Sequence, residues 1–280
     1  MDRFLIVDGS NLLFQMFFGM PARIVNEQGK AIQGTLGFVG ALLRIIRRLE
    51  PTHAAVLFDG EHSNDRILLN ADYKANRVDY GQLPEEESPF SQLPDVYAAL
   101  DCLQIRYAET TDCETDDWIA GYTKKYGRGA EIIIASYDSD FFQLITDRVS
   151  ILRYRGENSV MCTPSYIEEK LGVAPCRYAD FKSLTGDASD NIKGADKIGP
   201  KTAAALLRAF GDLEGILCHA QDIKKPSVRQ SVMDNAERLR TNYRLIRLEG
   251  ADALPFTLED LVFTYDGTTT TDVLRKIGLR

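Results

Sequence analysis

Seven carboxylates stand where an apolar run gives way to a polar turn or helix start. They are Asp8 after FLIV, Asp59 after AAVLF, Glu114, Asp116 and Asp117 in CETDDWIA, and Asp138 with Asp140 after EIIIASY. A further pair, Asp187 and Asp190, opens the stretch GDASDNIKGADKIGPKTA. Carboxylates gathered within about 8 Å of one another repel strongly unless cations neutralise them. Their convergence therefore implies bound divalent metal, and oxygen-only ligands select magnesium or manganese over zinc. Two such ions about 4 Å apart can activate a water and stabilise the departing oxygen in phosphodiester hydrolysis. Each motif alone has a plainer reading. First-turn acids complement the helix dipole, and Asp138 and Asp140 are ordinary turn formers. The joint pattern favours the metal site.

The same stretch ends in Gly199–Pro200–Lys201–Thr202. Pro200 suits the first position of a helix, and Gly199 leaves room for close backbone approach. Amides at that helix start, with Lys201 and Thr202 beside them, can hold a phosphate without reading base sequence. A plain helix hairpin reads the same way in isolation. Asp187 and Asp190 just upstream tie this turn to the metal centre.

These residues need a scaffold that brings them together. Short β-rich runs at Phe4–Val7, Ala54–Phe58, Glu131–Ala135 and Val149–Tyr154 alternate with helical patterns such as TLGFVGALLRIIRRL. In that run Leu36, Val39, Leu42, Leu43 and Ile46 recur at helical spacing. The expected fold is α/β, a parallel-rich central sheet with helices on both faces, followed by a helical region. Open parallel sheets bind ligands beyond the carboxyl ends of their strands, where Asp8, Asp59 and Asp138 would sit. Residues 1–163 are read as the core, including an excursion from Tyr73 to about Pro94 within a 73–105 segment, and 164–280 as the helical part. A long insertion of this kind is usually a functional lid or a disordered loop.

Composition sets few limits. Apolar residues make up 44% and charged residues 26%, as in ordinary globular proteins. The formal charge of −8 argues against a phosphate-backbone partner. Nine acids neutralised by metal would bring the rest of the 41 close to balance with the 33 Lys and Arg. Five cysteines without a CxxC pair imply reduced thiols rather than a disulfide framework. His53, His62 and His219 are isolated, so none is expected to ligate metal. No apolar run reaches the roughly 18 residues that span a bilayer. MDRFLIVDGSN reads as a first strand rather than a signal peptide, and the expected location is cytoplasmic.

The chain resembles the bacterial and phage flap endonucleases (5′-3′ exonucleases), a family that includes the N-terminal nuclease domain of DNA polymerase I. LIVDGSNLL and VLFDG look like its first two acidic strands, and Arg66–Arg77 with YKANR like its arch entrance. ETDDWIA and YDSDFFQL look like its next two acidic motifs, and GDASDNIKGADKIGPKTA like its helix-three-turn-helix at about 184–210. The resemblance implies a PIN-like 5′-nuclease fold and a first metal site around Asp8, Asp59, Glu114, Asp116 and Asp138. It implies a second around Asp117, Asp140, Asp187 and Asp190, with two Mg2+ ions that Mn2+ can replace. Lys74 and Arg77 would act on the scissile phosphate with Asp8 and Asp138, and Arg66 and Tyr73 would contact DNA. Gly194, Ile198, Gly199, Lys201 and Thr202 would hold the duplex backbone, with K+ bound by main-chain oxygens of the turn. Tyr137, Ser139, Thr115 and Lys193 depart from the family pattern, which bears on rate and substrate preference.

The expected activity is structure-selective 5′-3′ cleavage of DNA near single-strand/duplex junctions by a stand-alone monomer, since the sequence ends at Arg280. The expected partner is DNA, as a 5′ flap, branched or gapped duplex, with no membrane and no small-molecule cofactor. Two alternatives compete: a non-catalytic DNA-structure binder that retains the fold, and a small RNase with the same acidic edge. Finally, SVRQSVMDNAERLRTNYRLIRLEG reads as one amphipathic helix whose Arg229, Arg238, Arg240, Arg244 and Arg247 face either solvent or duplex.

Overall fold

A computed structural model describes residues 2–60, 66, 69–78, 80–84 and 87–279. Six strands form the central sheet: β1 (Arg3–Asp8), β2 (His53–Phe58), β3 (Arg106–Glu109), β4 (Glu131–Ala135), β5 (Val149–Arg153) and β6 (Val160–Cys162), in the order β3-β2-β1-β4-β5-β6. All neighbours pair parallel except β5 and β6, which are antiparallel. The four strands expected from sequence are present. The edge strands β3 and β6 were not foreseen: RYAE is polar and VMC is short, so neither carries the long apolar run that marks a central strand.

Strands β1, β2 and β4 are almost wholly buried because both sheet faces are covered. Leu5, Val7, Val56 and Ile133 face one layer, formed by α1 (Gly9–Gly19), α2 (Gln33–Leu49) and α3 (Leu93–Cys102). Phe4, Ile6, Leu57 and Ile134 face the other, which contains α4 (Thr115–Tyr126). That second core continues without a break into the helices after β6. These are α5 (Pro164–Leu171), α6 (Tyr178–Thr185), α7 (Pro200–Phe210), α8 (Leu213–Cys218), α9 (Pro226–Asp234) and α10 (Ala236–Ile246). Helix α11 (Thr270–Lys276) returns to pack on α2.

Two expectations change. The basic C-terminal stretch is two helices, α9 and α10, broken at Asn235, whose side chain donates back to the Ser231 carbonyl at 2.7 Å. Between α6 and α7 lies more than a turn: the two-residue strands Gly186–Asp187 and Ile192–Lys193 pair antiparallel there. Within the 73–105 segment, Leu93–Cys102 is a core helix with Val96 and Leu100 fully buried, so the excursion lies before it. Asp79, Glu85 and Glu86 of that segment, and His62, lie outside the described residues. All five cysteines are free thiols.

The strand order reverses direction between β1 and β4, the point where doubly wound sheets open a crevice at their carboxyl ends. The acidic residues gather there.

Candidate active site

Asp8 ends β1 and caps α1. Its Oδ1 accepts from the Asn11 N–H at 3.0 Å and its Oδ2 from the Ser136 hydroxyl at 2.8 Å. Ser136 follows β4, and its Oγ accepts from the Asp138 N–H at 3.0 Å, so one hydroxyl fixes both aspartates. The Asp138 Oδ1 in turn accepts the Asp140 N–H at 2.8 Å. Asp59, beyond β2, takes the Thr115 N–H at 3.0 Å and so ties the β2 end to the start of α4, which carries Asp116 and Asp117.

Electrostatics records how close these acids stand. Burial, then the charges of Asp59 and Asp138, push the Asp8 carboxyl up to about 7. Burial, then Asp138 and Asp59, raise Asp116 well above the usual carboxylate range. Asp140 is pushed up to about 7 by burial and Asp138, with Lys182 opposing. Such shifts mark buried carboxylates crowded by one another, a pattern common at functional sites.

Glu114 and Asp117 are placed differently. Arg66 bridges both, donating to Glu114 and, at 3.0 Å, to Asp117, while Lys74 also donates to Glu114. Both sit at the start of α4, as their three-residue spacing implied. A second cluster is separate: Asp140, Asp187 and Asp190 offer oxygens that all lie within 4.8 Å of one another. Arg77 pairs with Asp190 at 2.7 Å.

The Tyr73–Arg77 segment is fastened over this cup by one backbone hydrogen bond and two from asparagine side chains. The Lys74 N–H donates to the Asp190 carbonyl at 3.0 Å, the Asn191 amide to the Asp72 carbonyl at 2.8 Å, and the Asn76 amide to the Ala188 carbonyl at 3.1 Å. Tyr73 is buried beside Ile192, Leu245 and Ile246. Lys74 adopts φ 57°, an uncommon conformation for a residue with a side chain and one met often at functional positions.

At the turn expected to grip phosphate, Gly199 caps α7 in an extended conformation and Pro200 takes its first turn. The grip is leaner than the sequence suggests. Pro200 has no N–H, and the Thr202 N–H turns back to the Gly199 carbonyl at 3.0 Å. Lys201 is exposed and Thr202 partly so, while Ile198 is buried and anchors the turn from beneath. A Cβ on Gly194 would lie 2.3 Å from the Thr185 carbonyl carbon. Only glycine lets the turn rest on the end of α6.

Three contributors escaped sequence reasoning. Lys182, buried in α6, donates to Asp187 and stands 3.5 Å from Asp140. Ser136 is the hydroxyl described above. Arg238 in α10 donates to the Gly194 carbonyl at 2.9 Å, bracing the turn. The departures Tyr137 and Ser139 displace no carboxylate. The Tyr137 ring lies 5.7 Å from the Arg153 guanidinium, and its N–H donates to Asn11 at 3.0 Å.

Residues 3–172 match the family model for the 5′-3′ exonuclease N-terminal resolvase-like domain, and residues 173–268 that for the 5′-3′ exonuclease C-terminal SAM fold. DNA polymerase I of Streptococcus pneumoniae is 32% identical over 268 residues, 94% of this chain and 30% of that protein. The thermostable DNA polymerase I of Thermus thermophilus is 33% identical over 247 residues, 88% of this chain and 28% of that protein. The chain thus spans less than a third of the length of these curated relatives. Among solved structures, T5 D15 protein co-crystallized with metal ions superposes with TM-score 0.71 at 25% identity, covering 88% of this chain and 89% of that one. T5 5′-exonuclease with bound zinc gives TM-score 0.74 at 23% identity, covering 98% and 99%. The catalytic core of Rad2 in complex with DNA gives 0.61 at 16%, covering 99% and 86%, a likeness of fold. With both domain models matched in order across nearly its whole length, the chain belongs to the 5′-3′ exonuclease family.

Proposed function

We propose that this chain is a divalent-metal-dependent 5′-3′ exonuclease and flap endonuclease that hydrolyses DNA phosphodiesters near single-strand/duplex junctions. The observation that carries the reading is the convergence of Asp8, Asp59, Asp116 and Asp138 beyond adjacent parallel strands, beside the trio Asp140, Asp187 and Asp190.

The residues fit metal. The Asp140 Oδ1 is buried without a hydrogen-bond partner, and every ligand on offer is a carboxylate oxygen, the donor set of Mg2+ or Mn2+. Asp8, Asp59, Glu114, Asp116 and Asp138 would hold one ion. Asp140, Asp187 and Asp190, with Asp117 through water, would hold a second. Bound there, divalent ions would lower the pKa of an attacking water and offset the charge on the leaving oxygen.

The chain's own groups do the rest. Lys74 and Arg77, both engaged with site carboxylates, would turn toward the scissile phosphate and stabilise its developing charge. Arg66 holds Glu114 and Asp117 in position. The Gly199–Thr202 turn would hold the duplex by its backbone, which suits recognition of structure over sequence. A potassium ion there would have to use second lone pairs: the Lys193, Gly194, Ala195 and Asp196 carbonyls already accept hydrogen bonds from Asn242, Arg238, Ile198 and Ser231.

The test is a labelled 5′-flap duplex incubated with Mg2+, with Asp138→Ala as control. Cleavage by the unaltered chain that disappears in the variant and in EDTA supports the reading; equal cleavage by both would place the activity elsewhere.

A further inference from the structure

Helix α6 carries a lysine inside a wholly buried run. Every residue from Tyr178 to Leu184 is buried, Lys182 included, so the helix backbone has no room to withdraw it. Its ammonium lies 6.0 Å from the Tyr178 ring centroid and reaches two members of the acidic trio, Asp187 and Asp140. The third member, Asp190, is paired with Arg77. Among the described residues, none of Asp8, Asp59, Asp116 or Asp138 makes an ion pair. The two halves of the acidic cup therefore differ in how their charge is met: four carboxylates without a direct ion pair on one side, with Lys74 and Arg66 held on the neighbouring Glu114, and three carboxylates in direct contact with an ammonium and a guanidinium on the other.

We propose that Lys182 is a built-in counter-cation that keeps the Asp140/Asp187/Asp190 position weak for a divalent ion until a substrate phosphate adds its negative charge. This rests on the metal-nuclease reading above. With Lys182 and Arg77 in place the trio offers a single net negative charge, too little to draw a dication strongly out of water. Arg77, half exposed, can swing away toward a phosphate; Lys182 cannot. A phosphodiester entering the cup restores the missing charge, so occupancy of this position becomes coupled to substrate. The device would suppress a fully loaded, reactive centre in the absence of DNA.

The experiment is a Mn2+ titration of the DNA-free protein followed by electron paramagnetic resonance of the free ion, with thermal melts in Mn2+ as the control for folding. The unaltered chain should bind one ion tightly and a second at least about tenfold more weakly. Lys182→Met should tighten the second step about tenfold, and Lys182→Arg, which keeps the charge, should leave it as it was. A phosphorothioate-protected 5′-flap duplex should tighten the second step in the unaltered chain. Identical second steps in the unaltered chain and Lys182→Met overturn the proposal. So does a Lys182→Met variant that loses DNA affinity with unchanged metal binding, which would make Lys182 a phosphate contact. Should Lys182→Met not fold, the duplex arm decides alone: a second step indifferent to DNA overturns the proposal. No Mn2+ bound at all would instead remove the metal centre itself.

Discussion

The Arg77 guanidinium donates to the Asp190 carboxylate at 2.7 Å, joining two positions 113 residues apart in sequence. One partner belongs to the segment that covers the cup and the other to the cup itself. The Lys74 N–H, which donates to the Asp190 main-chain carbonyl, runs alongside. The cations expected to act on substrate are thus parked on carboxylates expected to hold metal.

This parking can be measured by hydrogen exchange. Arg77 is about half exposed, so the pair contributes roughly 0.5 kcal/mol after solvent screening. In EDTA, Asp190→Asn should speed exchange across residues 72–78 by about two- to threefold, with α2 unaffected. Unchanged exchange in that segment would mean that its other hydrogen bonds and the buried Tyr73 hold it down without the ion pair.

The raised carboxyls give a pH dependence with a definite sign. Asp8 and Asp140, each pushed up to about 7, favour the folded state in their protonated forms. That contribution is fully present below the ordinary Asp value of about 3.9 and is lost as pH rises through about 7. Asp187 runs the other way. Burial works against its charge, but hydrogen bonds from Lys182 and Ser189 outweigh it and hold its carboxyl below the usual range, so its contribution is lost only in strong acid. The Tm difference between Mg2+ and EDTA should therefore widen from pH 5.5 to 8, and metal binding near pH 7 should release protons. Calorimetry in buffers of different ionisation enthalpy would read the protons directly; a difference flat with pH would contradict the charge count.

Much of this site was readable because an aspartate after an apolar run in a parallel sheet has one place to go, the carboxyl edge. Asp8, Asp59 and Asp138 follow that rule, and the glycine-proline turn follows the geometry of helix starts. Lys182 could not be found in this way. A lysine in a helix ordinarily marks the solvent face, and only the packing of α6 against α10, α7 and the Asp140–Leu144 turn shows this one to be buried. Arg240 misleads in the opposite sense: in sequence it is one of a row of free arginines, yet its partner Glu214 comes from another helix at 2.9 Å. Long-range pairing of this kind leaves no local signature.

Arg240 and Lys201 accordingly make opposite predictions for DNA binding. Arg240 is shared between Glu214 and Glu237, whereas Lys201 is exposed at the α7 start. Reversing the charge at Lys201 should lower the slope of log affinity against log salt by about one. The same change at Arg240 should leave the slope alone. Anisotropy titrations with a flap duplex in Ca2+ at several salt concentrations separate the two, and equal slopes for Lys201→Glu and the unaltered chain would take the turn out of the duplex contact.

The glycine beneath that turn is the harshest test of the proposed coupling between the turn and the acidic trio. A methyl at Gly194 meets backbone on every side: the Thr185 carbonyl carbon at 2.3 Å, with the Gly186 nitrogen and the Leu184 oxygen at 2.5 Å. Backbone cannot yield as a flexible side chain does, so Gly194→Ala must push the Ile192–Lys193 strand away from Gly186–Asp187. Overpacking of this kind destabilises by about 1–3 kcal/mol. Because Asp187 lies on the displaced hairpin, metal binding at the trio should weaken along with duplex binding. A melt showing the loss of stability, together with a Mn2+ isotherm that loses only its weaker step, is the expected pair of results. A variant that lost duplex affinity and kept both metal steps would show the grip and the trio to be mechanically independent.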